Sequence, residues 1–232
     1  MNTRTSPSRW RCTKFLMTIM NTNETLKYLL VLIVLTIQIQ GNVFSQNNSN
    51  AVSKYNDKYS ELVAKLKRGN TRIDYKLFRQ CLLKSKQYQV VIKSKHLVDS
   101  LGFLMIKANE SAEYTKVIKM ATAILEIDYT NMMTHQLLSQ VYNIKGDSIM
   151  GALHSNIKDG LLNSIFTNSD GKTCKTAWSI VQVTEEGFIL HTLGGEVTNL
   201  EMDKKTLCDH FTVLRNGTTK EYYFKRANKF VQ

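Results

Sequence analysis

Ser164 to Val183 reads SIFTNSDGKTCKTAWSIVQV, and the hydrophobic period changes inside it. Up to Phe166 apolar residues recur at three- and four-residue spacing, the pattern of helices that bury one face. From Thr176 the period becomes two. Ala177, Ser179, Val181 and Val183 alternate with Trp178, Ile180 and Gln182, which predicts a strand partly buried on both faces. Between the two patterns stand Asn168, Asp170 and Gly171, turn formers that break a helix before a strand. Helices followed by strands in one chain place it in the α+β class.

Working back from this switch, six helices are predicted. Tyr55, Tyr59, Leu62, Val63 and Leu66 form the first stripe, stopped by Gly69-Asn70. Asp74 caps a second helix with Leu77, Phe78, Cys81 and Leu82 inward. The others run over 90–107, 111–126, 131–145 and 147–165, with Ser111, Asp128–Asn131 and Asp147 as N-cap regions. Glu113-Tyr114 and Gly146-Asp147 are equivalent entry points, and positions 113 and 147 lie 34 residues apart, the tetratricopeptide period. Ala121, Leu125 and Asp128 to Asn131 look like the end of one unit and the start of the next, with Tyr129 where the consensus has proline.

Working forward, Glu185 to Leu193 predicts a short helix closed by Gly194-Gly195, and Val197 to Met202 a weak strand. His210–Arg215 and Lys220–Lys225 flank Asn216-Gly217, the strongest short hairpin signal, which pairs Arg215 with Thr218 and Phe211 with Tyr222. The expected architecture is a tetratricopeptide-like helical array over 54–166, then a small antiparallel sheet with one short helix over 167–232. A sheet this small must dock on the helices to be stable.

Tyr28 to Ile37, YLLVLIVLTI, is too short to span a bilayer and fits the core of a secretory signal. Lys27 flanks it, and Val43 and Ser45 suit signal peptidase, placing the cut before Gln46. Residues 1–45 are read as the signal, with Met20 as the start that gives ordinary length, and 46–53 as a flexible leader. The whole chain carries +12, and removal of 1–45, with five Lys/Arg and one Glu, leaves +8. Three cysteines then remain, Cys81, Cys174 and Cys208, an odd count that cannot pair completely.

No catalytic constellation is legible. Asp170-Gly171-Lys172-Thr173 is not a phosphate loop, because Phe166 stands where the pattern needs glycine and a helix precedes it. Cys208-x-His210 is a single pair without a second, so neither a metal nor a cofactor is expected. Cys81 sits on an apolar stripe, whereas Cys174, beside Lys172 and Lys175, is the thiol expected to be reactive. Glu185-Glu186 reads as the acidic first turn of a helix. Lys84, Lys86, Lys93, Lys95 and His96 make a basic cluster, but no nucleic-acid motif accompanies it; solubility and attraction to an anionic cell surface account for it.

Several blocks together resemble a family of exported Bacteroidetes proteins catalogued only as a domain of unknown function. They are Asp74-Tyr75-Lys76-x-Phe78-Arg79, Lys84 to Tyr88, Leu125 to Asn131, His154-x-x-Ile157-x-x-Gly160-Leu161-Leu162, Ser169 to Thr173 and Glu185-Glu186. The resemblance implies export and a helical half followed by a sheet half, and brings no activity. Here Gly187 stands where an aromatic residue usually follows the two acids.

The functional expectation is a secreted or periplasmic, non-enzymatic binding protein. Its partner would be a protein, a peptide or a cell-envelope component, not nucleic acid, with membrane contact only through the signal segment before cleavage. The alternative is a small-substrate enzyme such as a hydrolase, with its site where the halves meet. The candidate junction residues are His154, Gly160, Asp170, Gly171, Lys172 and Thr173. The turn 169–173 is expected to be ordered and chiefly structural, docking the sheet on the sixth helix near His154 or Gly160, with ligand contact by Lys172 as the alternative.

Overall fold

A computed structural model of the chain describes residues 55–203 and 205–227. The proposed signal segment, its cleavage site and the leader lie outside these residues. Among the described residues there are eight α-helices and four strands. No described helix is long and apolar enough to cross a membrane.

α1 (Lys58–Lys67) starts where the Asp57 carboxylate accepts from Ser60 N–H at 2.8 Å, and it buries Tyr59, Leu62 and Leu66. α2 (Tyr75–Lys84) is capped by Asp74 and buries Phe78, Arg79 and Leu82. Leu77, expected inward, is 40% exposed instead, because Arg79 shares the buried face with Phe78 and Leu82. The single helix expected over 90–107 is two: α3 (Lys86–Lys93) and α4 (Lys95–Glu110). Lys84-Ser85-Lys86 and Lys93-Ser94-Lys95 repeat the same tripeptide, and each serine is the N-cap residue of a new helix.

α5 (Tyr114–Ile127), α6 (Met132–Ile144) and α7 (Ser148–Phe166) follow, with α4 packed on α5 and α6 on α7. The turns that join these pairs share one geometry. After α4, Ala112 takes φ 55° and Glu113 N–H donates to Ala108 O at 2.8 Å. After α6, Gly146 takes φ 82° and Asp147 N–H donates to Tyr142 O at 2.8 Å. Both close the preceding helix by a bond spanning five residues and a left-handed residue. Both following helices start 34 residues apart, at Tyr114 and Ser148.

After a short 3₁₀ turn (Cys174–Thr176) come β1 (Trp178–Ile180), α8 (Val183–Leu193), β2 (Glu196–Asp203), β3 (Cys208–Arg215) and β4 (Thr218–Arg226). The sheet order is β1-β4-β3-β2. The hairpin forms in the expected register, with Arg215 opposite Thr218 and Phe211 opposite Tyr222, and both loop residues, Asn216 and Gly217, have positive φ. The sheet is mixed, not wholly antiparallel: β1 lies parallel to β4, Trp178 opposite Phe224. A crossover through α8, β2 and β3 separates these two strands in sequence, which permits the parallel pairing. β1 is shorter than the alternation suggests, because Val181 N–H donates to the Glu185 carboxylate, not to a strand. Trp178 seats the sheet on α7, its ring 4.9 Å from Phe166, 5.5 Å from Tyr222 and 5.4 Å from Phe224.

The paired turns differ in one respect that has an energetic consequence. Ala112 holds a left-handed conformation that costs an L-residue roughly 1–2 kcal/mol and glycine almost nothing. Ala112→Gly should therefore raise stability by about 0.5–1 kcal/mol after the entropy glycine adds to the unfolded chain. Urea denaturation checks it; an unchanged or lower midpoint contradicts the turn geometry.

Candidate functional site

The junction of helices and sheet is organised by Arg79 and Glu185, both buried. Arg79 Nε and Nη2 donate to the two Glu185 oxygens at 2.9 and 2.7 Å, a bidentate pair between α2 and α8. Arg79 Nη2 also donates to Ser179 O of β1 at 2.9 Å, and Nη1 to Ser164 Oγ of α7 at 3.4 Å. Glu185 Oε2 further accepts from Val181 N–H at 2.7 Å, so one carboxylate pairs a helix, caps another and ends a strand. Beside it, Gln182 Nε2 donates to Asp128 Oδ2 at 2.9 Å and to Thr130 Oγ1 at 3.1 Å. Thr130 N–H and Oγ1 donate to Asp128 Oδ1. Burial pushes the Asp128 carboxyl above its ordinary range.

A second acidic cluster lies one residue on. Glu186 is buried, and burial, then a hydrogen bond shared with Asp209 of β3, pushes its carboxyl up to about 8. Asp209 accepts from Arg226 Nε at 3.0 Å and Nη2 at 2.8 Å. Glu186 Oε1 meets no donor. The arrangement sets the protonated Glu186 carboxyl beside Asp209, which in turn accepts from Arg226.

A third cluster lies between α6 and α7. His135 Nε2 lies 3.0 Å from Tyr129 O, which only accepts, so Nε2 carries the proton. His135 Nδ1 is then the acceptor, and His154 Nδ1–H donates to it at 2.8 Å. Burial, then the neighbouring ring, lowers His135 to about 3, and burial lowers His154 to about 4. Both rings are neutral near pH 7, and His154 stacks on Tyr142 with centroids 5.7 Å apart.

These clusters do not gather the residues expected at the junction into one site. Asp170, Gly171, Lys172 and Thr173 do form one ordered turn. Asp170 Oδ1 accepts from Lys172 N–H at 3.1 Å and from Thr176 Oγ1 at 2.6 Å, Thr173 Oγ1 accepts from Thr176 N–H at 3.2 Å, and Gly171 O accepts from Tyr223 N–H of β4 at 2.7 Å. The turn packs on the C-terminal end of α7 through Phe166 and Trp178. His154 is twelve residues earlier on that helix, roughly 18 Å away at 1.5 Å per residue, and Gly160 six residues earlier. Gly160 serves elsewhere: a Cβ there would lie 2.2 Å from the Tyr75 ring, so it lets α2 cross α7 closely. Lys172 Nζ is exposed, 3.8 Å from Asp170.

Cys174, expected as a reactive thiol, is joined to Cys208 in a disulfide with Cα atoms 5.9 Å apart, so its neighbouring lysines activate nothing. Among the described residues Cys81 is the free cysteine, half-buried. Among the described residues no group of three or more His, Cys, Asp or Glu side chains is placed to hold a metal. Sequence reasoning passed over Arg79 and read Glu185-Glu186 only as a first helical turn. The usable signal was Arg79 itself, one helical turn after Tyr75 and one before Leu82, a charge inside an apolar stripe.

A family model described as a domain of unknown function (DUF4919) matches residues 48–230. The chain belongs to this family. Comparisons with curated proteins and with solved structures give no match. All three polar clusters and the 169–176 turn fall inside the DUF4919 span, so they belong to the domain proper.

Two expectations follow for this DUF4919 domain. Gly171 has φ 68°, and a Cβ there would lie 2.6 Å from the Trp178 ring. Gly171→Ala should cost about 2–4 kcal/mol, strain and overpacking together, read as a lower urea midpoint. Glu186 keeps its proton in the fold up to about pH 8 but loses it near 4.5 when unfolded. The folded chain thus binds the extra proton between these values, and stability falls as pH rises through them, by up to about 1.4 kcal/mol per unit. The histidines act oppositely: neutral in the fold and protonated below 6.5 when unfolded, they cost stability as pH falls from 6.5 toward 4. Glu186→Gln should remove the loss between pH 6.5 and 8 and leave the acid limb; urea midpoints at pH 5, 6.5 and 8 separate the two.

Proposed function

We propose that this chain is an exported binding protein, secreted or periplasmic, that engages a peptide, a protein or a cell-envelope component without catalysis. The observation that carries the reading is the matched turn after α4 and after α6, which starts α5 and α7 34 residues apart, the tetratricopeptide period. Stacked helix pairs of this kind present extended surfaces to partners. The Cys174–Cys208 disulfide supports an oxidising compartment, as does the secretory pattern of residues 28–45. A +8 mature chain suits an anionic envelope, in keeping with the Bacteroidetes resemblance.

One observation favours the rival, a hydrolase or other small-substrate enzyme: the Glu186 carboxyl, raised to about 8, is poised for acid–base work. Against it, Glu186 is only 4% exposed, and the Arg79–Glu185 pair at the meeting of the halves is spent on backbone and side-chain partners.

Export is tested by mass spectrometry of the protein recovered from its native cell, with Gln46 expected at the mature N-terminus; an intact Tyr28–Ile37 segment would instead support a membrane anchor. Binding is tested by capture from an envelope extract followed by titration of the purified partner. Saturable binding without turnover is expected. Turnover of an envelope substrate that Glu186→Gln abolishes would install the enzyme reading.

A further inference from the structure

The sheet order leaves β1 and β2 as edges, and they differ sharply. β1 is three residues long. β2 has eight residues, all exposed, and among the described residues only β3 pairs with it. Protein edges are normally blunted by lysine, proline or a bulge. β2, EVTNLEMD, contains neither lysine nor proline. Its one irregularity falls between Val197 and Asn199, after which Asn199 to Asp203 pair regularly with β3.

The two sides of this strand have different chemistry. Val197, Leu200 and Met202 lie opposite Val213, Phe211 and Asp209, which are buried on the core side of the sheet. Those three apolar side chains are 38, 44 and 58% exposed, so the core side runs out past the elements that cover it. On the other side stand Asn199, Glu201 and Asp203. Glu201 lies 3.8 Å from His210, whose ring stacks on Tyr223 at 4.4 Å, and Glu221 lies 3.7 Å from the same imidazole. β2 carries three acids and no base, in a chain of net charge +12.

We propose that the outer edge of β2 is a docking site for an extended polypeptide segment in which apolar residues alternate with lysine or arginine, added as a further strand of the sheet. Main-chain groups of the segment pair with the open edge. Its apolar side chains extend the Val197–Leu200–Met202 strip, and its basic side chains meet Glu201, since Asp203 is engaged by Lys205 and Thr206 of the following turn. A second copy docked through the same strand would set acids against acids, which opposes self-association. The inference rests on the reading of this chain as a binding protein and adds the partner's class and place.

The probe is a blocked peptide, VKVKVKV, titrated into the full mature chain beside its VEVEVEV counterpart, with amide exchange read on β2. The lysine peptide should bind saturably, weaken as salt rises and slow exchange over Asn199–Asp203; the glutamate peptide should not. Glu201→Lys and Leu200→Lys, both on exposed positions, should each weaken binding tenfold or more while leaving the circular dichroism unchanged. Equal binding of both peptides, or unaltered binding by both variants, overturns the proposal. So does a β2 edge already protected in the free chain, which would mean that its own residues, or a second copy seen by sedimentation, cover it. The broader reading fails separately, if the chain turns over an envelope substrate while still taking the lysine peptide on β2.

Discussion

The structure depends on one buried carboxylate. Glu185 accepts both arms of Arg79 and the backbone N–H of Val181, and through them holds α2, β1 and α8 in one arrangement. Burying a charge pair is expensive, and breaking one by removing a partner typically costs about 3–5 kcal/mol. That cost is why the pair specifies geometry: every alternative packing of the β part on the helices that separates Arg79 from Glu185 leaves an uncompensated charge in the interior. Apolar contact between Trp178 and Phe166 gives the sheet its adhesion to α7, but such contact tolerates sliding. The ion pair does not.

The consequences spread through short polar steps. Glu185 ends β1 after Ile180 by taking the next N–H, and so turns the chain into α8. At the start of α8, Gln182 reaches Asp128 and Thr130, in the turn between α5 and α6. Glu186, the next residue, reaches Asp209 and thereby Arg226 of β4. Two adjacent glutamates thus address opposite sides: one ties α8 to the helices, the other ties it to the sheet. The first is paired with the Arg79 guanidinium, the second keeps its proton beside another carboxyl.

Much of this was legible in the sequence where the determinant is local. Asp74, Asn131 and Asp147 cap helices through their own side chains, and Asn216-Gly217 fixes the hairpin register because both residues accept positive φ. The change of period at Ser169–Thr173 marked the passage from helices to sheet. What escaped has causes distant in sequence. A strand cut short by a carboxylate looks, from alternation alone, like a longer strand. The parallel pairing of β1 with β4 depends on where α8 sends the chain, and the Cys174–Cys208 bond on that same path. Of the expected junction residues, Asp170 to Thr173 share one turn, whereas of the two neighbours expected for it His154 partners His135 between α6 and α7 and Gly160 meets Tyr75 of α2. The break at Ser94 was local and visible in the repeated Lys-Ser-Lys, but it was hidden by an apolar pattern continuous across it.

The strand order carries a consequence for the time at which the sheet can exist. β4, the last of the described strands in chain order, lies between β1 and β3. Until Thr218 to Arg226 have been made, β1 has no strand to pair with, and of the sheet only the β2–β3 contact can form. The helices are not finished in order of synthesis either: α2 packs on α7 through Tyr75 and Gly160, and Arg79 finds its carboxylate only once Glu185 has been made. A ribosome that stops before Thr218 therefore delivers a β2–β3 pair and a β1 with no strand between them to join the two.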